Sequence, residues 1–408
     1  MHIAFFTNSY HPVVNGVVRS VASFREVLMK QCHNVFVFAQ SDSSYMDNEP
    51  FIFRYPSLPL PLPGDIAAAI PVSPFVDQLL PALKLDVIHA HHPILLGQTA
   101  ARKAAELGLP LVFTFHTKYW EYTHYVPFPQ EAIQEFLKSA IHRWLRDFMQ
   151  KCQHIIIPSE SMRDILVKNY GLEERYTVIP TGTDVEPFLE ADGRGLRKEK
   201  GWENETVLIS VGRLAAEKNW ETLLHAFAKV YTQHPNLRLV LIGDGPAKES
   251  LELLASELGI MERVTFTGAL HFEEIPRYMK AADAFSFASV TETQGLVTIE
   301  AMAAGLPIVA VDASGTRDIV EHGKQGFLVK NDADALARGI NKLLSDPQRM
   351  KRFSNHALKK AKTFDVDELG KQVIRVYEQA IQDKKQNRTV TLKAETTPEG
   401  EVVPASQV

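Results

Sequence analysis

Short, nearly unbroken apolar runs alternate with amphipathic stretches along most of this chain, and few folds accommodate that alternation. In the first half the runs read HIAFFT, NVFVFA, DVIHA, PLVFTF and HIIIPS; in the second they read TVLISVG, RLVLIG, VTFTG, AFSFAS and LPIVAV. A strand with one wet face alternates apolar and polar residues. A strand apolar throughout is buried on both faces, as in a parallel sheet covered by helices. The expected class is therefore α/β, with two doubly wound, Rossmann-like domains. Neither half resembles the other closely enough to indicate duplication.

A length of 408 residues suits two or three domains. The segment EADGRGLRKEKGWENE is polar, contains glycine and is weakly periodic, which marks a linker between an N-terminal domain over 1–190 and a second over 191–365. The stretch LGKQVIRVYEQAI has helical spacing and predicts a C-terminal helix over 366–383. The tail 384–408 lacks apolar periodicity and is expected to be disordered.

Composition excludes several classes. A formal charge of −5 does not suit a general nucleic-acid binder. Two cysteines, Cys32 and Cys152, lie far apart without metal-ligand spacing, so a reducing cytoplasm is the expected setting. HIAFFTN at the start has no basic region before an apolar one, and a signal peptide is not expected. The longest membrane-span candidate, 66–85, is broken by Pro71, Pro74 and Pro81, so any membrane contact is expected to be peripheral.

Ligands of open α/β sheets bind beyond the carboxyl ends of the strands, and two such domains facing each other would form a cleft there. The residues able to do chemistry fall just after the predicted strands. In TETQGLVTIEAMAAG, Glu292 and Glu300 flank Gly295 and a predicted helix start. A helix start offers free N–H groups and a positive dipole end to a diphosphate. A carboxylate on either side can accept hydrogen bonds from sugar hydroxyls, and the layout matches a sugar nucleotide. Arg213 and Lys218 in GRLAAEKNW are apt partners for a leaving diphosphate. IGDGP, with Gly245, lacks the third glycine of a dinucleotide fingerprint and is read as a wall for a nucleotide. His116 ends the run PLVFTFH; it can bind a sugar hydroxyl, assist proton transfer, or be a structural strand-end histidine.

Metal ligation is not expected. His89, His91 and His92 in VIHAHHP have no acid within the motif. The pairs Asp332/Asp334 and Asp365/Asp367 precede helical patterns and read as helix N-caps. In the segment 131–151, apolar residues including Trp144 and Phe148 follow helical spacing beside Lys138, Arg143, Arg146 and Lys151. Such a helix can dock on a membrane surface or pack on the sheet.

In order along the chain, the NGV loop (Asn15, Gly16, Val17), GRLAAEK, IGDGP, the paired-acid segment and SGTRDIVEHGKQGFLV together resemble the GT-B retaining glycosyltransferases of family 4. The resemblance covers nearly everything up to about residue 383. It implies that Gly16 lines the donor side, Arg213 and Lys218 hold the diphosphate, and Glu300 binds the ribose. It further implies that Glu292, with the backbone at Gly295, Leu296 and Val297, holds sugar and phosphate, and that Leu270 meets the base. His116 matches the family's catalytic-site histidine, with Glu292 the second catalytic candidate. HTKYWEYTHYVP and TETQG, with Gln294 where phenylalanine is common, resemble bacterial enzymes that glucosylate diacylglycerol. Trp120 before Glu121, and Lys118 before Tyr119, depart from their pattern. Asn15, Tyr119, Glu121 and His124 fall on the acceptor side in this reading. The implied reaction moves glucose from UDP-glucose to a lipid at the cytoplasmic face of a membrane, with no cofactor and no catalytic metal. A soluble acceptor, a pyridoxal-dependent phosphorylase and a non-catalytic sugar-nucleotide sensor are the alternatives; intact Glu292, Glu300, Arg213, Lys218 and His116 disfavour the sensor.

Overall fold

The apolar runs form two separate sheets, each parallel throughout. The computed structural model describes residues 1–13, 15–42, 45–59, 67–70, 72–119 and 131–393, with backbone alone at 59, 67–68 and 131–137. The chain divides into two units, Met1–Gly182 with Val366–Val408, and Thr183–Asp365. The break thus falls eight residues before the one read from composition, and the C-terminal helix belongs with the first unit.

Among the described residues, the main sheet of the first unit has seven strands in the spatial order Tyr176–Val178, His154–Ile157, Leu111–Thr114, Val87–Ala90, His2–Thr7, Asn34–Gln40 and Ile52–Tyr55. The first strand in sequence is therefore central, and the chain winds outward from it in both directions. Successive side chains point to opposite faces. Ala4 and Phe6 join a core with Phe38, Ile88 and Phe113 beneath the helices Leu96–Glu106 and Glu131–Lys151. Ile3 and Phe5 join another with Val37 and Val112 beneath Gly16–Lys30 and Val366–Lys385. Fully burying one such large side chain contributes about 1.5–3 kcal/mol. The C-terminal helix supplies Val373, Val376, Tyr377 and Ala380 to this second face, so it completes the first unit.

One expectation is corrected here, and one choice left open by the sequence is decided for the described residues. The tail is ordered through Lys393. Thr391–Leu392 pairs antiparallel with Leu172–Glu174, and Val390 and Leu392 are buried. Arg146 donates to the carbonyls of Tyr170 and Lys393, each at 2.6 Å, and the Val390 amide donates to the Cys152 carbonyl at 2.8 Å. The tail is held mainly through its backbone, which leaves no apolar periodicity to read; residues 394–408 lie outside the described residues. The helix Glu131–Lys151 turns its described apolar face into the core: Phe148 has 0% exposure and Trp144 packs against the same cluster. Phe148 cannot insert into a bilayer.

The second unit holds six strands in the order Val264–Phe266, Leu237–Ile242, Thr206–Val211, Ala284–Phe287, Ile308–Val311 and Gly326–Val329. This 3-2-1-4-5-6 sequence reverses direction between the first and fourth strands, which is where a doubly wound sheet opens a crevice for ligand. Asp332 caps the helix Ala333–Leu344, accepting from the amides of Asp334 and Ala335 at 3.2 and 3.1 Å, which is the capping role expected of that pair.

Candidate functional site

In the second unit, the loops after the first and fourth strands meet at this switch point. Gly212 and Leu214 donate backbone N–H groups to the carbonyls of Ile242 and Asp244, both at 2.9 Å. A Cβ at Gly243 would stand 1.9 Å from the Gly212 carbonyl oxygen, and one at Gly245 would stand 2.4 Å from that of Leu214. The glycines of IGDGP therefore let two loops lie backbone to backbone. The Trp220 indole donates to the Arg213 carbonyl at 2.9 Å and fixes the loop from below. Arg213 projects into solvent and makes no ion pair among the described residues. Lys218 is part-buried, and its ammonium lies 2.5 Å from Oε1 of Glu292. The buried Ser289 hydroxyl donates to the same oxygen at 2.9 Å.

Beyond Glu292 the chain turns through Gln294, which is buried, and Gly295, whose φ of +81° is a left-handed conformation that favours glycine. The helix Leu296–Ala303 starts there, and Leu296 and Val297 are part-exposed at its first turn. Glu300 stands in the second turn with 0% exposure, among Thr298, Ile299 and Ala301. A carboxylate is costly to bury, so a fully enclosed one in an otherwise apolar helix indicates a role other than packing. Leu270 follows the third strand and packs, part-buried, on the core of this unit. The loop after the fifth strand carries no role in the sequence reading. The Ser314 hydroxyl donates to the Glu292 carbonyl at 3.3 Å, and a Cβ at Gly315 would stand 2.7 Å from that carbonyl oxygen and 2.9 Å from the Gln294 nitrogen. The motif SGT is the available signal: its glycine, at φ +82°, is what allows this loop to brace the TETQG turn.

In the first unit, Asn15 caps the helix Gly16–Lys30, accepting from the Val18 amide at 2.9 Å, and its own amide donates to Ser9 at 3.1 Å. Gly16 is exposed, with nothing within 4 Å of where a Cβ would be. His116 is 9% exposed, and its Nε2 lies 3.0 Å from Nδ1 of His91. Burial, then neighbouring imidazoles, holds both rings well below the usual histidine range. Burial also lowers His89 to about 3 and His92 to about 4. The four rings are thus neutral at physiological pH. Tyr119 is half-buried against Phe115. Glu121 and His124 lie outside the described residues.

Both halves of the chain match known families. Residues 194–360 fit the family described as glycosyl transferases group 1, and residues 14–187 fit glycosyltransferase family 4. Alpha-monoglucosyldiacylglycerol synthase of Streptococcus pneumoniae is 32% identical over 390 residues, covering 93% of this chain and 86% of that protein. The chain belongs to glycosyltransferase family 4. The enzyme of the same name from Acholeplasma laidlawii is 31% identical to this glycosyltransferase over 371 residues, covering 88% of this chain and 92% of that one. Among solved structures, Anabaena HepE in complex with UDP and glucose superposes with a TM-score of 0.75 at 23% identity, covering 93% of this glycosyltransferase and 99% of HepE. That likeness confirms the GT-B fold expected from the motifs.

Proposed function

We propose that this glycosyltransferase moves glucose from UDP-glucose to diacylglycerol, with retention of configuration, at the cytoplasmic surface of a membrane. The acceptor reading is supported by the resemblance of HTKYWEYTHYVP and TETQG to lipid glucosyltransferases and by the two named relatives, which match over most of their length. The observation that carries the donor reading is the join between Lys218 and Glu292 at the mouth of the helix starting at Gly295. There a cation, a carboxylate and free helix N–H groups converge, the set that a sugar diphosphate requires.

Departure of UDP develops negative charge on the diphosphate oxygens. Lys218, Arg213 and the Leu296 and Val297 amides stabilise that charge, and the helix dipole adds to it. Glu292 accepts hydrogen bonds from the sugar and holds Lys218 in place, while Glu300 takes the ribose hydroxyls. Gln294 fixes the turn between them, Leu270 meets the base, and Gly245 keeps the neighbouring loop close. His116, with Asn15, Gly16 and Tyr119, serves the sugar and acceptor from the first unit.

Among the described residues no helix is long and apolar enough to cross a membrane. In this reading the enzyme meets its lipid at the membrane surface. Leu58, Val72 and Phe75, the last 67% exposed, are better placed for that contact than Phe148. Vesicle co-sedimentation tests the contact. Wild-type protein is expected to bind vesicles, and a Val72→Ser, Phe75→Ser variant is expected to lose most of that binding while keeping UDP affinity. Equal binding by both removes these residues from the membrane contact.

A further inference from the structure

Three buried imidazoles follow one another in a row beneath the first-unit site. The ring centroids of His89 and His91 are 4.2 Å apart, and those of His91 and His116 are 5.3 Å apart with planes 21° from parallel. His89 is locked at both nitrogens, Nδ1 lying 2.7 Å from the Tyr377 hydroxyl and Nε2 2.7 Å from the Thr114 hydroxyl. His91 is held in turn by the edge of Phe5, with centroids 4.7 Å apart, and by its own backbone amide, which donates to the Phe6 carbonyl at 2.9 Å. The C-terminal helix, through Tyr377, thus supports a row of rings that ends at His116.

A neutral imidazole has one donor and one acceptor nitrogen. Of the two nitrogens facing each other across the 3.0 Å contact, one carries the proton. The other nitrogen of His91, Nε2, is buried with no hydrogen-bond partner among the described residues. If His116 donated, His91 would carry its proton on Nε2 and bury an orphan N–H. If His91 donates from Nδ1, what is buried is a bare lone pair, and under-satisfied acceptors are tolerated better than orphan donors. We propose that His91 is a positioning residue whose Nδ1–H donates to Nε2 of His116, fixing His116 as the Nδ1–H tautomer. In that tautomer His116 carries its donor at Nδ1 and cannot act as a base at Nε2. The low proton affinity of both rings keeps this arrangement uncharged across neutral pH. Which ring nitrogen is protonated is set by the bond that the other makes, so one buried neighbour decides the chemistry of the histidine at the end of the row.

The inference rests on the proposed transfer reaction for its consequence, and on geometry alone for its content. In full-length protein labelled with 15N histidine, long-range nitrogen–proton correlations report which ring nitrogen bears hydrogen, with His116→Gln providing the assignment. Both His91 and His116 are expected to be protonated at Nδ1. His91→Phe keeps the ring and removes the donor; it should lower kcat by roughly tenfold or more, as loss of a tautomer-fixing partner does elsewhere, with UDP affinity and KM nearly unchanged. His91→Asn places an amide N–H near the Nδ1 position and should restore most of kcat. A wild-type His116 protonated at Nε2 overturns the proposal even if no variant folds, as does full kcat in folded His91→Phe. The tautomer is read without turnover, so failure of the transfer reading and failure of this one appear in different measurements.

Discussion

The ammonium of Lys218 and Oε1 of Glu292 lie 2.5 Å apart and tie the loop after the first strand of the second unit to the loop after its fourth. The pair stands close to a helix start: the left-handed turn at Gly295 comes three residues beyond Glu292, and the helix begins at Leu296. A cation held there by a carboxylate is positioned before any donor arrives, and preorganised charge is worth more than charge that must be recruited.

Replacing either cation should therefore affect turnover more than folding. Arg213→Ala and Lys218→Ala are each expected to cost about 2–4 kcal/mol of transition-state stabilisation, by analogy with removal of an oxyanion-hole donor. Steady-state kinetics with melting curves check this, and activity should persist in excess chelator. Wild-type turnover in both folded variants would remove the two residues from the site.

The two acids should separate by ligand. Glu300→Gln is expected to weaken binding of UDP and UDP-glucose alike, since a charged acceptor for ribose hydroxyls becomes a weaker one. Glu292→Gln should weaken UDP-glucose more than UDP. Titration calorimetry with both ligands decides; equal losses in the Glu292 variant would contradict the division of roles.

The buried histidines make stability depend on pH. Burial lowers His89 to about 3, and His92 and His154 to about 4. His91 and His116 lie well below the ordinary value. The unfolded chain takes up these protons near pH 6.5 and the folded chain does not, so unfolding is favoured as pH falls from about 6.5 toward 4. Each such group contributes a slope on the order of 1.4 kcal/mol per pH unit within that window. Urea midpoints measured from pH 8 to 4.5 should be level above pH 7 and fall below 6.5. A profile flat through pH 5 would mean the histidines titrate normally in the fold.

Most of the strand pattern was legible because a strand buried on both faces must be apolar almost throughout, as Ile3 to Phe6 are. Edge strands escape that rule. Ile52, Phe53 and Arg54 are only part-buried, so their run reads as loop. The candidate site could be placed only as positions after strands, where ligands of doubly wound sheets bind. Contacts between loops distant in sequence were not, and Gly315 beneath Glu292 is the clearest case. The triplet His89, His91 and His92 raises only the question of metal when met as sequence. Its actual role needs the fold, because alternate residues of a buried strand continue into its loop and His91 reaches His116 beyond the neighbouring strand.

The ordered tail gives a separate test. Arg146→Ala removes the donors holding the Tyr170 and Lys393 carbonyls and is expected to cost about 1–3 kcal/mol of stability. Hydrogen exchange at the Val390 and Lys393 amides should accelerate in this variant while kcat per folded molecule stays level. Unchanged exchange would show that the tail is held by other contacts.

The central claim is tested most directly by supplying radiolabelled UDP-glucose and following label into lipid. Vesicles containing diacylglycerol should yield one labelled glycolipid whose glucose keeps the α configuration of the donor, and vesicles without diacylglycerol should yield none. Label passing efficiently to a water-soluble sugar or sugar phosphate and not to diacylglycerol would contradict the proposed acceptor, and a β-linked product would contradict retention.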